Sequence, residues 1–354
     1  QTQGGGISAQ MLQEIQKEQK QCGKERVIAN AIYGMSIDAL AKNYKVAALP
    51  IDTHFSVETR KQSITDQKSS GRCWMFSGLN VLRSNYMAQA DSVSIEFSQA
   101  YLFCWDQLEK SNLMLQGVID TAKKPMDDQR VQFFFHSPIG DGGTFCGVAD
   151  LAPKYGLVPS EIMPESFTSE NTSKARSLIS SKLREFGLQL RDMVAKKKSA
   201  ADIQKAKTEM LGQIYRMLKL TLGVPVEKFT YAFHDKNGRQ LGEDKEYTPL
   251  SFYQEVVGGD LNGTFIMVMN DPRREYYKTY EVEYDRHTYD GSNWRYLNLP
   301  MEEIEQLAIA SLKDGRKMYS SYDVAKFLDR KRGYASLDNF DYGSVFGTTF
   351  KMDK

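Results

Sequence analysis

The sequence holds few cysteines: Cys22, Cys73, Cys104 and Cys146 in 354 residues. None sits in a CxxC pair, which excludes a zinc knuckle and a thioredoxin-type motif. So low a count also argues against a disulfide scaffold. Histidine is equally scarce. His54, His136, His234 and His287 stand alone, with no HExxH and no i, i+4 pair, so no metal site is expected. A surplus charge is missing as well: 46 Lys and Arg against 45 Asp and Glu leave +1. That balance supplies no field to draw the chain to a membrane surface or to nucleic acid. No apolar run approaches the roughly 18 residues that span a bilayer. The chain opens QTQGGGISAQ rather than with Met, and no signal peptide is in view. Signal cleavage and tag removal both fit that start. The first would make the protein exported, periplasmic in a bacterium; otherwise it is cytoplasmic.

What is present is enough apolar residue for a packed core, at 41%. Residues 7–45 set apolar positions at helical spacing, then AALPIDTHF turns extended. Met75, Leu79, Leu82 and Tyr86 fall on one face of a 3.6-residue period, so a helix starts at about Cys73. A second is expected from Ser98, a good N-cap residue, and a third after GDGGTF, ending at Tyr155-Gly156. Residues 173–222 lack proline and read as two long helices broken near Lys196–Ser199. The lysine-rich break, Lys196–Lys198, is read as a solvated tip. After Val226 the segments KFTYAF, TFIMVM, TYEVEY and KMYSSY read as strands, with one helix from Met301 to Lys313 behind Pro300. The plan is α+β in four parts: an arm or leader over 1–55, a helical lobe over 56–172, a helical insertion over 173–223 and a β-rich lobe over 224–354.

The stretch that points to chemistry is TDQKSSGRCWMFSGLN, Thr65–Asn80. It places Cys73 at the start of a helix, where unpaired N–H groups and the dipole favour a thiolate. Arg72 would add positive potential if its side chain stays near. Gln67, six residues upstream, offers an amide donor to an oxyanion beside the sulfur. Cys22, Cys104 and Cys146 carry no such surroundings and read as small buried apolar groups.

Gln67, Cys73 and Trp74 resemble the nucleophile segment of papain-like cysteine peptidases, and the details resemble the bleomycin hydrolase and aminopeptidase C branch. Ser70 stands where secreted papains carry a disulfide cysteine, and Gly140 stands where its partner would lie. FSQAYLFCWDQLEKSN, DGGTF, KYGLVPSEIMPES, TPLSFYQEVV and NDPR are similar to that branch too, so the resemblance runs from about residue 25 to the end. It implies a two-lobed papain-like fold with a helical insertion. Cys73 would form a thioester acyl-enzyme, releasing amino acids from peptide N-termini. Gln67 and the Cys73 N–H would form the oxyanion hole. Gly142 and Gly143 would present backbone to an extended peptide; a tight turn before a helix is the plainer reading of both. Trp74 reads as a packing anchor and Asp141 as a surface turn residue. The resemblance further implies peptide substrates, a homo-oligomeric hexamer, and no metal or organic cofactor.

The same chemistry needs a histidine base and an asparagine to orient it. The family's THAM-like and ENSWG-like segments do not occur here, and none of the four histidines occupies the matching place. Each is therefore expected to be a structural or surface residue. The expectation is a second lobe that is C-terminally incomplete, with the His and Asn partners beyond Lys354. Truncation or proteolysis, a C-terminal stretch omitted from the numbering, and a naturally short inactive scaffold or assembly subunit are the three accounts. The first two are favoured, because a β-lobe cut before its last strands leaves unpaired edges.

Overall fold

The computed structural model describes residues 5–18, 23–90, 92–325 and 327–350. Cys22 lies outside the described residues. Two compact units emerge, one formed by the chain up to Phe55 together with the chain from Ser320, the other by Ser56–Tyr319.

The first unit joins the helices Ile37–Ala41 and Tyr44–Ala47 to a short hairpin, Leu328–Asp329 with Tyr334–Ala335, and to the helix Tyr342–Phe346. Its ties are polar. Asn43 N–H donates to Asn339 O at 2.9 Å, Asp341 N–H to Ala41 O at 2.8 Å, and Lys42 pairs with Asp329 at 2.7 Å. The preceding helix, Ala9–Glu18, buries no side chain despite its apolar stripe of Met11, Leu12 and Ile15.

The second unit is built around one helix, Gln99–Asp120. Ser98 caps it through Tyr101 N–H, and it is buried nearly all round. Cys73–Gln89, Phe145–Tyr155, Ser173–Ala195 and Ala200–Leu222 all pack on it. The last two are the long helices read from the sequence, and their break falls at Lys196–Ser199. They belong to the same core. Ile179, Leu183, Phe186 and Leu190 on one, and Met210, Ile214, Leu218 and Leu222 on the other, are buried in it. The third expected helix ends at Tyr155, where Gly156 turns at φ 82°. A Cβ there would lie 2.1 Å from the Pro249 carbonyl carbon, so two constraints on one residue require glycine.

Two three-stranded sheets complete the unit. One runs Val93–Ser94, Phe229–Asp235, Gln240–Tyr247, all antiparallel. In the other, Arg295–Asn298 lies between Val268–Met269, parallel to it, and Thr279–Glu281, antiparallel. KFTYAF and TYEVEY supply strands as expected, whereas TFIMVM shrinks to Val268–Met269 and KMYSSY forms none. Gln240–Tyr247 was not legible as a strand because half of its residues are charged and most are exposed; its pairing with Phe229–Asp235 and the buried Tyr247 ring hold it. The helix Met301–Lys313 occupies its expected residues. Helices and strands are segregated along the chain, so the class is α+β.

Candidate active site

Cys73 is the first residue of its helix and is exposed, while Cys104 and Cys146 are buried. Burial pushes the Cys104 thiol up to about 12. Burial first, and then the charges of Asp150 and Asp285, push Cys146 up to about 11. The helix start has no side-chain cap. Arg72 occupies the N-cap position without one, although Arg72 O accepts from the N–H groups of Met75 and Phe76. Among the described residues the N–H groups of Cys73 and Trp74 have no partner, so they can meet an incoming oxygen. Ser98, Asp128, Ser199 and Thr248 side chains close other helices here, whereas the helices that start at Phe145, Ser173 and Met301 lack a side-chain cap, as the Cys73 helix does.

The loop before it is held from within. Ser70 Oγ donates to Gln67 O at 2.6 Å, and Gln67 Nε2 donates to Ser70 O at 2.5 Å. Lys68 sits between them at φ 52°, in the left-handed region. An amide NH2 has two donors, and Ser70 takes one of Gln67's. Arg72 does not do what the sequence suggested. It is fully buried, with a two-pronged pair to Glu165 at 3.0 and 2.7 Å and a third bond from Nε to Ser70 Oγ at 3.0 Å. Its guanidinium lies over the Phe76 and Phe103 rings. The charge is neutralised inside the protein rather than aimed at the sulfur. Serine at position 70 thus has a positive role, as acceptor for this buried arginine.

Asp141 is also corrected. It is buried, not a surface turn residue. Its Oδ2 accepts from Gly71 N–H at 3.2 Å and from the Thr172 hydroxyl, and its carbonyl accepts from Trp74 Nε1 at 2.7 Å. One residue so ties the glycine segment Gly140–Gly143 to the Cys73 loop.

Beneath that segment lies a buried polar cluster. His287 Nδ1 meets Asp106 Oδ1 at 2.5 Å, and its ring packs on Trp74 with centroids 4.4 Å apart. Burial, reinforced by Lys110, holds the imidazole below its ordinary pKa. Burial works to raise the Asp106 carboxyl, but Lys110 and His287 outweigh it and keep it low. The pair is thus a neutral ring on a carboxylate. His287 is 2% exposed and makes no hydrogen bond to Cys73. It is a structural histidine, as expected, though placed in the floor of the site. His54 and His136 are exposed, and His234 lies on a strand opposite Ser94.

The two glycines differ. A Cβ on Gly142 would meet nothing within 4 Å, whereas one on Gly143 would lie 2.2 Å from His287 Cε1 and 2.9 Å from Trp74 Cε2. Gly143→Ala is expected to cost about 1–3 kcal/mol, because neither ring has room to retreat. Gly142→Ala should stay within about 0.5 kcal/mol. Paired urea denaturation curves check this, and equal midpoints would contradict the packing.

The sequence did not single out Tyr319, a residue of KMYSSY. Its phenol is pushed up to about 12, first by burial and then by the neighbouring Cys73 and Cys146. Its ring lies 5.8 Å from Phe145. A cavity of about 840 Å3 opens beside them, lined by Tyr86, Phe145, Val256, Phe265, Met267 and Tyr319. Asp106 and Lys110 were missed as well, although their i, i+4 spacing on a helix was a visible signal.

Among the described residues no helix is long and apolar enough to cross a membrane. The chain matches the Peptidase C1-like family over residues 6–354. Aminopeptidase C of Lactobacillus delbrueckii subsp. lactis is 36% identical to it, the alignment covering 91% of this chain and 73% of that one. Human (Homo sapiens) bleomycin hydrolase is 37% identical over 84% of this chain and 66% of its own. The crystal structure of PepW from Lactobacillus rhamnosis HN001 superposes with a TM-score of 0.89 at 34% identity, covering 98% of this chain and 78% of that one. With Cys73 at an open helix end and a papain-like α+β fold around it, the chain belongs to the Peptidase C1-like family of cysteine peptidases.

Proposed function

We propose that this protein is a cysteine-type aminopeptidase, releasing residues from peptide N-termini through a Cys73 acyl-enzyme. One observation carries the reading: Cys73 is the one exposed cysteine among the described residues, and it stands on an uncapped helix start. The thiolate attacks the scissile carbonyl carbon. A C–S bond forms, the C–N bond breaks, and the amine leaves with the proton that the Cys73 thiol gave up. Water then hydrolyses the thioester and regenerates the thiol. The Cys73 N–H and the second N–H of Gln67 would receive the oxyanion. No base is assigned to His54, His136, His234 or His287. The exopeptidase limit follows from the names of the relatives, aminopeptidase C among them. A homo-oligomeric assembly belongs to the same proposal.

Gly142 and Gly143 would bind the peptide backbone, and the geometry divides their work. The Gly142 carbonyl already accepts from Lys110 at 2.7 Å. Among the described residues the N–H and carbonyl of Gly143 have no partner, so Gly143 is the edge on which an extended peptide would pair.

Iodoacetamide at near-neutral pH tests the nucleophile. Cys73 should label at least about tenfold faster than Cys104 and Cys146, whose thiols are both buried and held protonated. Peptide mapping after a time course reads it. Equal rates at the three cysteines would remove the activated nucleophile from the proposal.

A further inference from the structure

Lys110 projects from the central helix into the floor of the glycine segment, with its side chain 12% exposed. Its ammonium has three N–H donors and three acceptors around it: Asp106 Oδ2 at 2.9 Å, Gly140 O at 2.9 Å and Gly142 O at 2.7 Å. The donor set is therefore saturated, and the lysine has no proton left to offer a ligand. The anchor is equally committed. Asp106 is fully buried, with Lys110 and Gln107 Nε2 on Oδ2 and His287 on Oδ1. The Trp74 ring closes the last side, with the ammonium 5.4 Å from its centroid.

The two carbonyls that Lys110 holds are not equivalent. Gly140 O has a second donor, Gln107 Nε2 at 3.1 Å. Gly142 O has Lys110 alone. Loss of the ammonium would leave Gly140 fixed and free the peptide unit that joins Gly142 to Gly143. Among the described residues no other hydrogen bond holds the Gly142 carbonyl, glycine has the widest choice of backbone angles, and a Cβ on Gly142 would meet nothing within 4 Å.

We propose that Lys110 is a positioning residue: anchored on Asp106, it turns the Gly142 carbonyl inward and so fixes the Gly143 edge in register for an extended peptide. This rests on the reading that Cys73 is the nucleophile and the glycine segment binds substrate. It adds which interior charge makes that segment a rigid rail. Lys110 touches no substrate in this account and does no chemistry.

The test compares two reagents at Cys73. Iodoacetamide needs only the thiolate, whereas an aminoacyl chloromethyl ketone also needs the rail to orient it. In the unaltered protein the ketone should label Cys73 faster at equal concentration. In Lys110→Met the iodoacetamide rate should hold within about twofold, while the ketone preference falls by about 10- to 100-fold, the scale on which misplacement of a bound group acts. Lys110→Arg keeps a cation with N–H donors for Gly142 O and should recover part of the preference. It also serves if Lys110→Met does not fold. A folded Lys110→Met with the full ketone preference overturns the proposal, since a merely structural lysine would lower only the melting temperature. A variant that loses both rates in parallel overturns it too, because the defect then lies at the thiol. Absence of ketone preference in the unaltered protein defeats the reading beneath, and this inference with it.

Discussion

Cys73→Ala should lower kcat/KM for an aminoacyl fluorogenic substrate on the order of 10^4- to 10^6-fold, with no loss of fold. Removal of a covalent nucleophile costs that much because the remaining machinery has nothing to activate. The fold should survive because the side chain is exposed and makes no hydrogen bond inside the protein. Circular dichroism and the denaturation midpoint should match those of the unaltered protein. Aminopeptidase activity retained within tenfold would mean that another group attacks the carbonyl. The thioester mechanism would then be abandoned.

The second large effect lies one residue away in sequence and concerns stability. Arg72 has no exposed surface, and Glu165 supplies its counter-charge through two parallel hydrogen bonds. Glu165→Ala leaves that guanidinium buried and unpaired, which costs about 3–5 kcal/mol. For a chain of this size that is a fall in melting temperature on the order of 10 °C. The double replacement Arg72→Met with Glu165→Leu should recover much of the loss, because taking both charges away removes the uncompensated one. Calorimetry on the three proteins decides it. A Glu165→Ala protein within 1 kcal/mol of the parent would mean that Arg72 finds water or another partner.

The parts of this molecule that the sequence disclosed are those written locally. The start of the Cys73 helix, the Ser98 cap, the break at Lys196–Ser199 and the Met301–Lys313 helix each depend on neighbours within a few residues. Nucleophile and oxyanion candidates lie in one loop, so the resemblance could find both. What stayed hidden depends on residues far apart in the chain. Arg72 looked like a source of potential for Cys73 until Glu165, 93 positions later, turned it inward. Asp141 looked like a turn residue until Gly71, Trp74 and Thr172 closed around it. His287 lies 181 positions from the Asp106 that holds it. A charged strand such as Gln240–Tyr247 takes its shape from a partner strand, and no periodicity announces it.

Asp141 has a further meaning for how such a protein can vary. It joins two loops separated by 70 positions, the one that bears the sulfur and the one that would guide the peptide. Mechanically they are one piece. A shift of the rail drags the nucleophile's loop with it, so substitutions in the two should be felt jointly rather than add independently. For the proposed peptidase, the side chains most free to vary without moving that joint lie away from it, such as the exposed Ile266 and the half-buried Met267 at the large cavity.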